Sequence, residues 1–149
     1  MRKEYHKITC AVYLIPEKDE KILLLRRFNT GYEDGKYSLV AGHVDKDESV
    51  IQTMVREAGE EAGIFIRPEN LELAHIMHRM KKKENDERID FFFRCRSWEG
   101  EIKNMEPHKC DDLSWFSPKA IPENTIDYIK TALKLADKGQ IYSEFGWDD

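Results

Sequence analysis

Wound at 3.6 residues per turn, Val50, Ile51, Met54, Val55, Ala58 and Ala62 fall on one side of the segment 48–62, which predicts an amphipathic helix there. Gly63 stands where a left-handed residue ends a helix without a Cβ penalty. The charged residues are as ordered as the apolar ones. Glu57, Glu60 and Glu61 stand at i, i+3 and i+4, so three carboxylates share one helical turn, on a patch roughly 110° from the apolar stripe. Such a helix can bury one side in a core while offering acids to a cleft. Like charges at this spacing repel by a few tenths of a kcal/mol per pair when solvated, and by more in a dry cleft. The patch therefore calls for a positive partner, and oxygen donors without nearby His or Cys suit Mg²⁺ or Mn²⁺ better than copper or zinc.

Around this helix the chain alternates between extended and helical patterns. β-branched and apolar runs predict strands over 7–15, closed by Pro16 and the charged turn 17–20, and over 21–28, followed by a loop over 29–36. Further extended pieces are expected at 37–40, 71–80, 88–98 and 113–116, with 81–87 as a polar hairpin tip. Ile126, Ile129, Leu133 and Ala136 recur at helical spacing behind Pro122, which predicts a second helix over 122–138 stopped by Gly139. Strands before, between and after two helices indicate the α/β class, a layered sandwich with a mixed sheet between helices. With 149 residues, 40% of them hydrophobic, and no repeat or Pro/Gly/Ser linker, one domain over 1–149 is expected.

The acids do not stand alone. Gly42 is followed after five residues by Glu48, and after seven more by Arg56-Glu57-Ala58-Gly59-Glu60-Glu61-Ala62-Gly63-Ile64. Seven fixed Gly, Glu and Arg positions would coincide by chance on the order of once in 10⁷ to 10⁸ registers, which sets aside a merely solvated acidic face. Over residues 42–64 the sequence resembles the Nudix hydrolase family, whose signature is Gly-x5-Glu-x7-Arg-Glu-U-x-Glu-Glu-x-Gly-U, with U a bulky aliphatic residue. Ala58 stands at the first U, Val40-Ala41 replace a commoner Pro-Gly, and Asp47 replaces a frequent Gly.

The resemblance implies a Nudix-type α/β/α sandwich and hydrolysis of a nucleoside diphosphate linked to another moiety, with divalent cations held by the helix acids. It names Glu57, Glu60 and Glu61 as metal ligands, joined by the Gly42 carbonyl and by Glu106 from a later loop. It makes Arg56 the residue that pairs with and orients those carboxylates, and has one of the acids take the proton from the attacking water. The chemistry agrees, since water cannot approach a diphosphate phosphorus until cations neutralise its oxygens. Glu48 lies near the helix amino end, where a capping role and a role beside the metal compete.

Other candidates lie outside the signature. Arg26 and Arg27 end a strand, where only one can face a cleft, and the resemblance favours Arg27 for the phosphates. Asn124 is either a helix N-cap or, by resemblance, a reader of the base edge. Lys81, Lys82 and Lys83 are expected on a solvated hairpin tip, His108 on a solvated loop, and Trp98, Trp115 and Trp147 in packing rather than base stacking. The tail over 142–149 either folds back over the domain or makes a homodimer contact. A net charge of −5 disfavours a DNA or RNA scaffold role, and the absence of an apolar run of membrane-spanning length or of a signal-peptide core predicts a cytoplasmic protein. Cys10, Cys95 and Cys110 are expected as reduced thiols. The competing function is a Nudix-like module that senses a nucleotide without cutting it.

Overall fold

The computed structural model describes residues 3–148; Met1, Arg2 and Asp149, the last residue of the predicted tail, lie outside the described residues. The first strand, β1 (Thr9–Lys18), continues through Pro16 and does not stop there. The reversal falls at Asp19 and Glu20, both left-handed at φ 52° and 63°, the signature of a two-residue hairpin whose twist matches the strands it joins. β2 (Lys21–Arg27), β3 (Tyr37–Ser38), β4 (Val40–His43), β5 (Leu71–Lys81), β6 (Asp86–Cys95), β7 (Cys110–Phe116) and β8 (Tyr142–Phe145) complete the strands, with α1 (Val50–Ala62) and α2 (Asp127–Asp137) as the helices.

β1 is the pivot. It lies between β4, antiparallel, and β6, parallel, and its last residues pair with β2. The order β4-β1-β6-β5-β8 forms the mixed sheet, and β3-β2-β7 forms an antiparallel wing. Alternate residues of β1 build two cores: Ala11, Tyr13 and Ile15 pack toward Ile129 and Leu133 of α2, while Val12 and Leu14 pack toward Met54, Ala58 and Ala62 of α1. This is the predicted sandwich, with the sheet between the helices.

Helix boundaries differ from the predicted ones for reasons of local bonding. α1 starts at Val50 because Ser49 caps it: Ser49 Oγ accepts the Gln52 N–H at 3.1 Å, and Gln52 Oε1 accepts the Ser49 N–H at 2.8 Å. Gly63 ends it at φ 70°, as expected. α2 starts five residues after Pro122, because the backbone before it is spent on β3: the Tyr37 N–H donates to Asn124 O at 2.9 Å and the Ile126 N–H to Tyr37 O at 3.0 Å. β6 ends at Cys95, short of Trp98, and β7 begins earlier than predicted, at Cys110.

Of the two fates open to the tail, folding back is the one observed. β8 adds to β5 in parallel, and Trp147 Nε1 donates to His78 O at 3.0 Å. Trp98 and Trp115 stack on each other at 6.4 Å. The three cysteines are free thiols. No helix among the described residues is long and apolar enough to cross a membrane.

Candidate active site

α1 lies along the edge strand β4, and Gly42 sets how closely. A Cβ at Gly42 would overlap the Glu57 carboxylate, so only glycine lets Glu57 rest against this backbone. One turn on, Glu61 Oε1 accepts the Ala41 N–H at 3.2 Å. The carboxyl of Glu57 lies close to that of Glu61. Burial first, then Glu57 and the charge of Glu106, push the Glu61 carboxyl well above the usual carboxylate range. No basic side chain among the described residues pairs with Glu61.

Arg56 supplies the positive charge on the other flank. Its Nε and Nη2 grip both oxygens of Glu48 at 2.8 and 3.0 Å, its Nη1 reaches Glu57 at 2.9 Å and Glu60 at 3.2 Å, and Nη2 also meets Asp45 at 3.2 Å. The Arg56 contact, reinforced by the Thr53 hydroxyl at 2.7 Å, holds the Glu48 carboxyl down to about 2. Glu48 thus precedes the cap residue Ser49 and serves as an anchor for Arg56, with no capping bond of its own.

Glu57 and Glu61 turn in toward β4, while Glu60, with 56% of its side chain exposed, is turned to Arg56. The three acids share a turn but not one focus. Among the described residues no three carboxylate, imidazole or thiol groups are already drawn together as a cation cage. Glu106 approaches from the loop before β7, which is strapped to the end of α1: the Lys103 N–H donates to Ala62 O at 3.0 Å and the Met105 N–H to Glu61 O at 3.4 Å. Among the described residues no hydrogen bond or ion pair joins His108 to these acids.

Across β4 opens a cleft of about 400 Å³, whose wall includes Ala41 and Gly42. The acids and the cleft therefore share one strand. Arg27 lines the cleft while Arg26 faces away to Asp111 at 2.7 Å, the alternation the sequence called for. A bulge sets this up, since Arg26 opposes Asp112 and Arg27 opposes Cys110, leaving Asp111 as the extra residue. Arg27 donates only to neutral oxygens, Tyr32 O at 2.7 Å and Thr30 Oγ1 at 3.1 Å, and has no carboxylate partner among the described residues.

Asn124 is neither an N-cap nor part of the cleft wall. α2 begins at Asp127 behind Ile126, and the Asn124 amide donates to Gly35 O at 3.0 Å. Lys81 is also misplaced by the sequence reading: it lines the cleft, 5.0 Å from the Tyr32 ring centroid, instead of standing on a solvated tip. Sequence pattern does not single out Tyr32, Arg79, Arg88 or Tyr128, which also line the cleft. One signal was available, since Asp90 sits alone in the apolar run Ile89-Asp90-Phe91-Phe92-Phe93, where an acid needs a buried partner.

Comparison with known proteins bears on this arrangement. A model of the NUDIX domain matches residues 5–135. An ADP-ribose pyrophosphatase of Methanocaldococcus jannaschii is 30% identical over 120 residues, covering 80% of this chain and 68% of that protein. An NAD-capped RNA hydrolase NudC of Pseudomonas aeruginosa is 27% identical over 125 residues, and the chain spans only 40% of its length. Among solved structures, a MutT NUDIX hydrolase from Burkholderia pseudomallei superposes with a TM-score of 0.78 at 23% identity, over 87% of this chain and 98% of that one. The MutT protein from Methanosarcina mazei Go1 gives 0.74 at 24% identity, over 91% and 97%. These two likenesses establish the fold.

Proposed function

The chain belongs to the Nudix family, and from that membership we propose that it is a pyrophosphohydrolase, a single Nudix domain over 1–149 that uses Mg²⁺ or Mn²⁺ to cleave the pyrophosphate bond of a nucleoside diphosphate linked to another moiety. The observation that carries this reading is the half-buried Glu57–Glu61 pair: two carboxyls lie close together beside β4, a third, Glu106, adds its charge, and no basic side chain among the described residues pairs with Glu61. An oxygen-only donor set short of positive charge fits a hard divalent cation.

Glu57 and Glu61 would hold that cation, with the Gly42 carbonyl, Glu106 and, once turned from Arg56, Glu60 as further donors. When bound, the cation neutralises phosphate oxygens and acidifies a coordinated water. The chain's own groups do the rest. Arg56 keeps Glu57 aimed at β4 and restrains Glu60 within reach of the same place. One of these carboxylates accepts the proton of the attacking water. Arg27, with no carboxylate hydrogen-bonded to it among the described residues, binds the diphosphate across β4. The ADP-ribose named for the archaeal relative is one compound of this class.

Chromatography of products from a panel of nucleoside triphosphates, nucleotide sugars, ADP-ribose and NAD, with and without Mg²⁺, tests the proposal. Metal-dependent release of a nucleotide product that is lost in Glu57→Gln and Glu61→Gln is expected. Tight nucleotide binding with no turnover of any diphosphate would replace it with the sensing module.

A further inference from the structure

The floor of the cleft is a charged network that the proposed hydrolysis does not use. Arg79, on β5, is only 5% exposed at its side chain and faces Asp90 of β6, which is fully buried. Arg79 Nε donates to Asp90 Oδ2 at 2.7 Å, and Nη2 donates to Asp90 Oδ1 and to the Tyr13 hydroxyl, both at 3.4 Å. The Tyr13 hydroxyl itself donates to Asp90 Oδ1 at 3.1 Å. The Tyr128 ring covers one face of the guanidinium, with its centroid 3.7 Å from Cζ. Three groups, the Asp90 carboxylate, the Tyr13 hydroxyl and the Tyr128 ring, thus fix one side chain in place.

Nη1 is left over. It makes no hydrogen bond among the described residues, yet it is not sealed from solvent, and the residue lines the cleft. A buried ion pair contributes little net stability compared with apolar packing of the same volume, so stability alone gives a weak reason for this one. A rigid donor at the floor of a cleft is better explained as a reader of whatever enters it.

Charge decides what that donor reads. The Arg79 cation is already balanced by Asp90, whereas Arg27 has no carboxylate bonded to it among the described residues, so a phosphate goes to Arg27 and an uncharged acceptor to Arg79. Guanidinium donates and never accepts. The carboxylates at the cleft are paired, Asp90 with Arg79, Asp86 with Arg88 at 3.0 Å and Glu84 with Lys81 at 3.5 Å, so an amino group brought to Arg79 would meet a donor first.

Resting on the reading of this cleft as a nucleotide site, the geometry points to Arg79 as a specificity-determining residue that donates Nη1–H to a carbonyl of the nucleobase. The protein therefore selects bases with an oxo group at the edge they present, 6-oxopurines and 4-oxopyrimidines, over their amino counterparts. The selection runs against adenine, the base of the ADP-ribose named for the archaeal relative, so the two are separable by experiment.

The test is calorimetric titration of the full chain in EDTA with inosine, adenosine, uridine and cytidine 5′-monophosphates. Within each pair an oxo group stands where the other base has an amino group, and the adjoining ring nitrogen changes with it from N–H donor to acceptor. We expect the oxo member to bind about tenfold more tightly, the worth of one hydrogen bond that the amino member replaces with a donor–donor clash. In Arg79→Lys, which keeps a cation beside Asp90 but lacks Nη1, the ratio falls to within about twofold. Should that variant fail to fold, ¹⁵N-arginine spectra of the wild type decide: the Arg79 guanidinium resonances move with inosine monophosphate and not with adenosine monophosphate. Equal affinities, a preference for the amino base, a preference that survives Arg79→Lys, unmoved resonances, or no binding of any monophosphate at millimolar concentration each overturn the assignment. Oxo selectivity without turnover of any diphosphate would overturn the hydrolase reading and leave this one standing.

Discussion

Gly42→Ala is the substitution whose consequence the structure works out most directly. Its backbone does not need glycine for a left-handed φ, so the change is not one of backbone strain. The cost is steric: the new methyl would occupy the space of the Glu57 carboxylate and its Cγ, the mobile end of a long side chain, which must swing away from β4. Overpacking of this kind costs about 1–3 kcal/mol, which in a chain of this size lowers the melting temperature by roughly 2–12 °C and leaves the protein folded. Displacing Glu57 breaks its 2.9 Å bond to Arg56 and moves it from beside Glu61, so both the aim and the pairing of the proposed metal ligands are lost. A displacement on the order of 1 Å is worth about 100-fold in rate, and Mg²⁺-dependent kcat should fall by at least that much.

The matched control, Gly59, lies three residues short of the helix end. A Cβ at Gly59 would meet its nearest neighbour, Ile64 O, at 3.7 Å, an ordinary contact, and alanine in a helix interior is favoured over glycine by about 0.5–1 kcal/mol. Gly59→Ala should therefore melt a few degrees higher with unchanged turnover. Product chromatography and thermal melts on the pair decide the matter. Wild-type turnover in Gly42→Ala, or equal losses in both variants, would refute the claim that Gly42 exists to seat Glu57.

Glu61 titrates above its ordinary 4.5 in the folded protein, so from about that pH up to its raised value the native state holds a proton the unfolded chain has lost, and stability falls as pH rises through this window. Glu61→Gln removes the effect: in EDTA it should melt above wild type at pH 8 and equal it below pH ~4, while losing metal-dependent turnover. Added Mg²⁺ should raise the melting temperature of wild type more at pH 8 than at pH 6, because the ligands must shed a proton, with about 2.7 kcal/mol expected at 100 times Kd; a shift that survives in Glu57→Gln and Glu61→Gln would place the cation elsewhere. Arg27→Ala should raise KM for the diphosphate substrate about tenfold with kcat little changed, since its present partners are neutral oxygens; an unchanged KM would take Arg27 off the phosphates.

The helix acids were legible in the sequence because their information is local. Periodicity alone places Glu57, Glu60 and Glu61 on one turn beside an apolar stripe, and the two cores flanking β1 follow from plain alternation. What periodicity does not carry is the direction in which each acid turns. Glu60 and Glu61 are neighbours in the chain, yet one is half exposed on Arg56 and the other partly buried against Ala41. That difference arises from the closeness of β4, which depends on a glycine outside the helix. Likewise Pro122 is a good helix opener by type, but β3 claims the backbone at Asn124 and Ile126, and tertiary pairing outweighs the local preference.

The cleft obeys a different rule, and its residues show why it was nearly invisible. Arg27, Arg79 and Tyr128 come from β2, β5 and α2, and no spacing along the chain relates them. The parallel pairing of β1 with β6 brings Tyr13 beside Asp90, whose side chains lie 77 residues apart in sequence. Only the misfits carried a trace: an aspartate among phenylalanines and an arginine at an inward strand position each violate the burial pattern, and a violation of that kind costs stability unless the two meet. The acids of α1 announce the chemistry through a pattern that agrees with its helix. The proposed selectivity announces itself through residues that disagree with their strands, so the same folding rules that made the first site readable mark the second by being broken there.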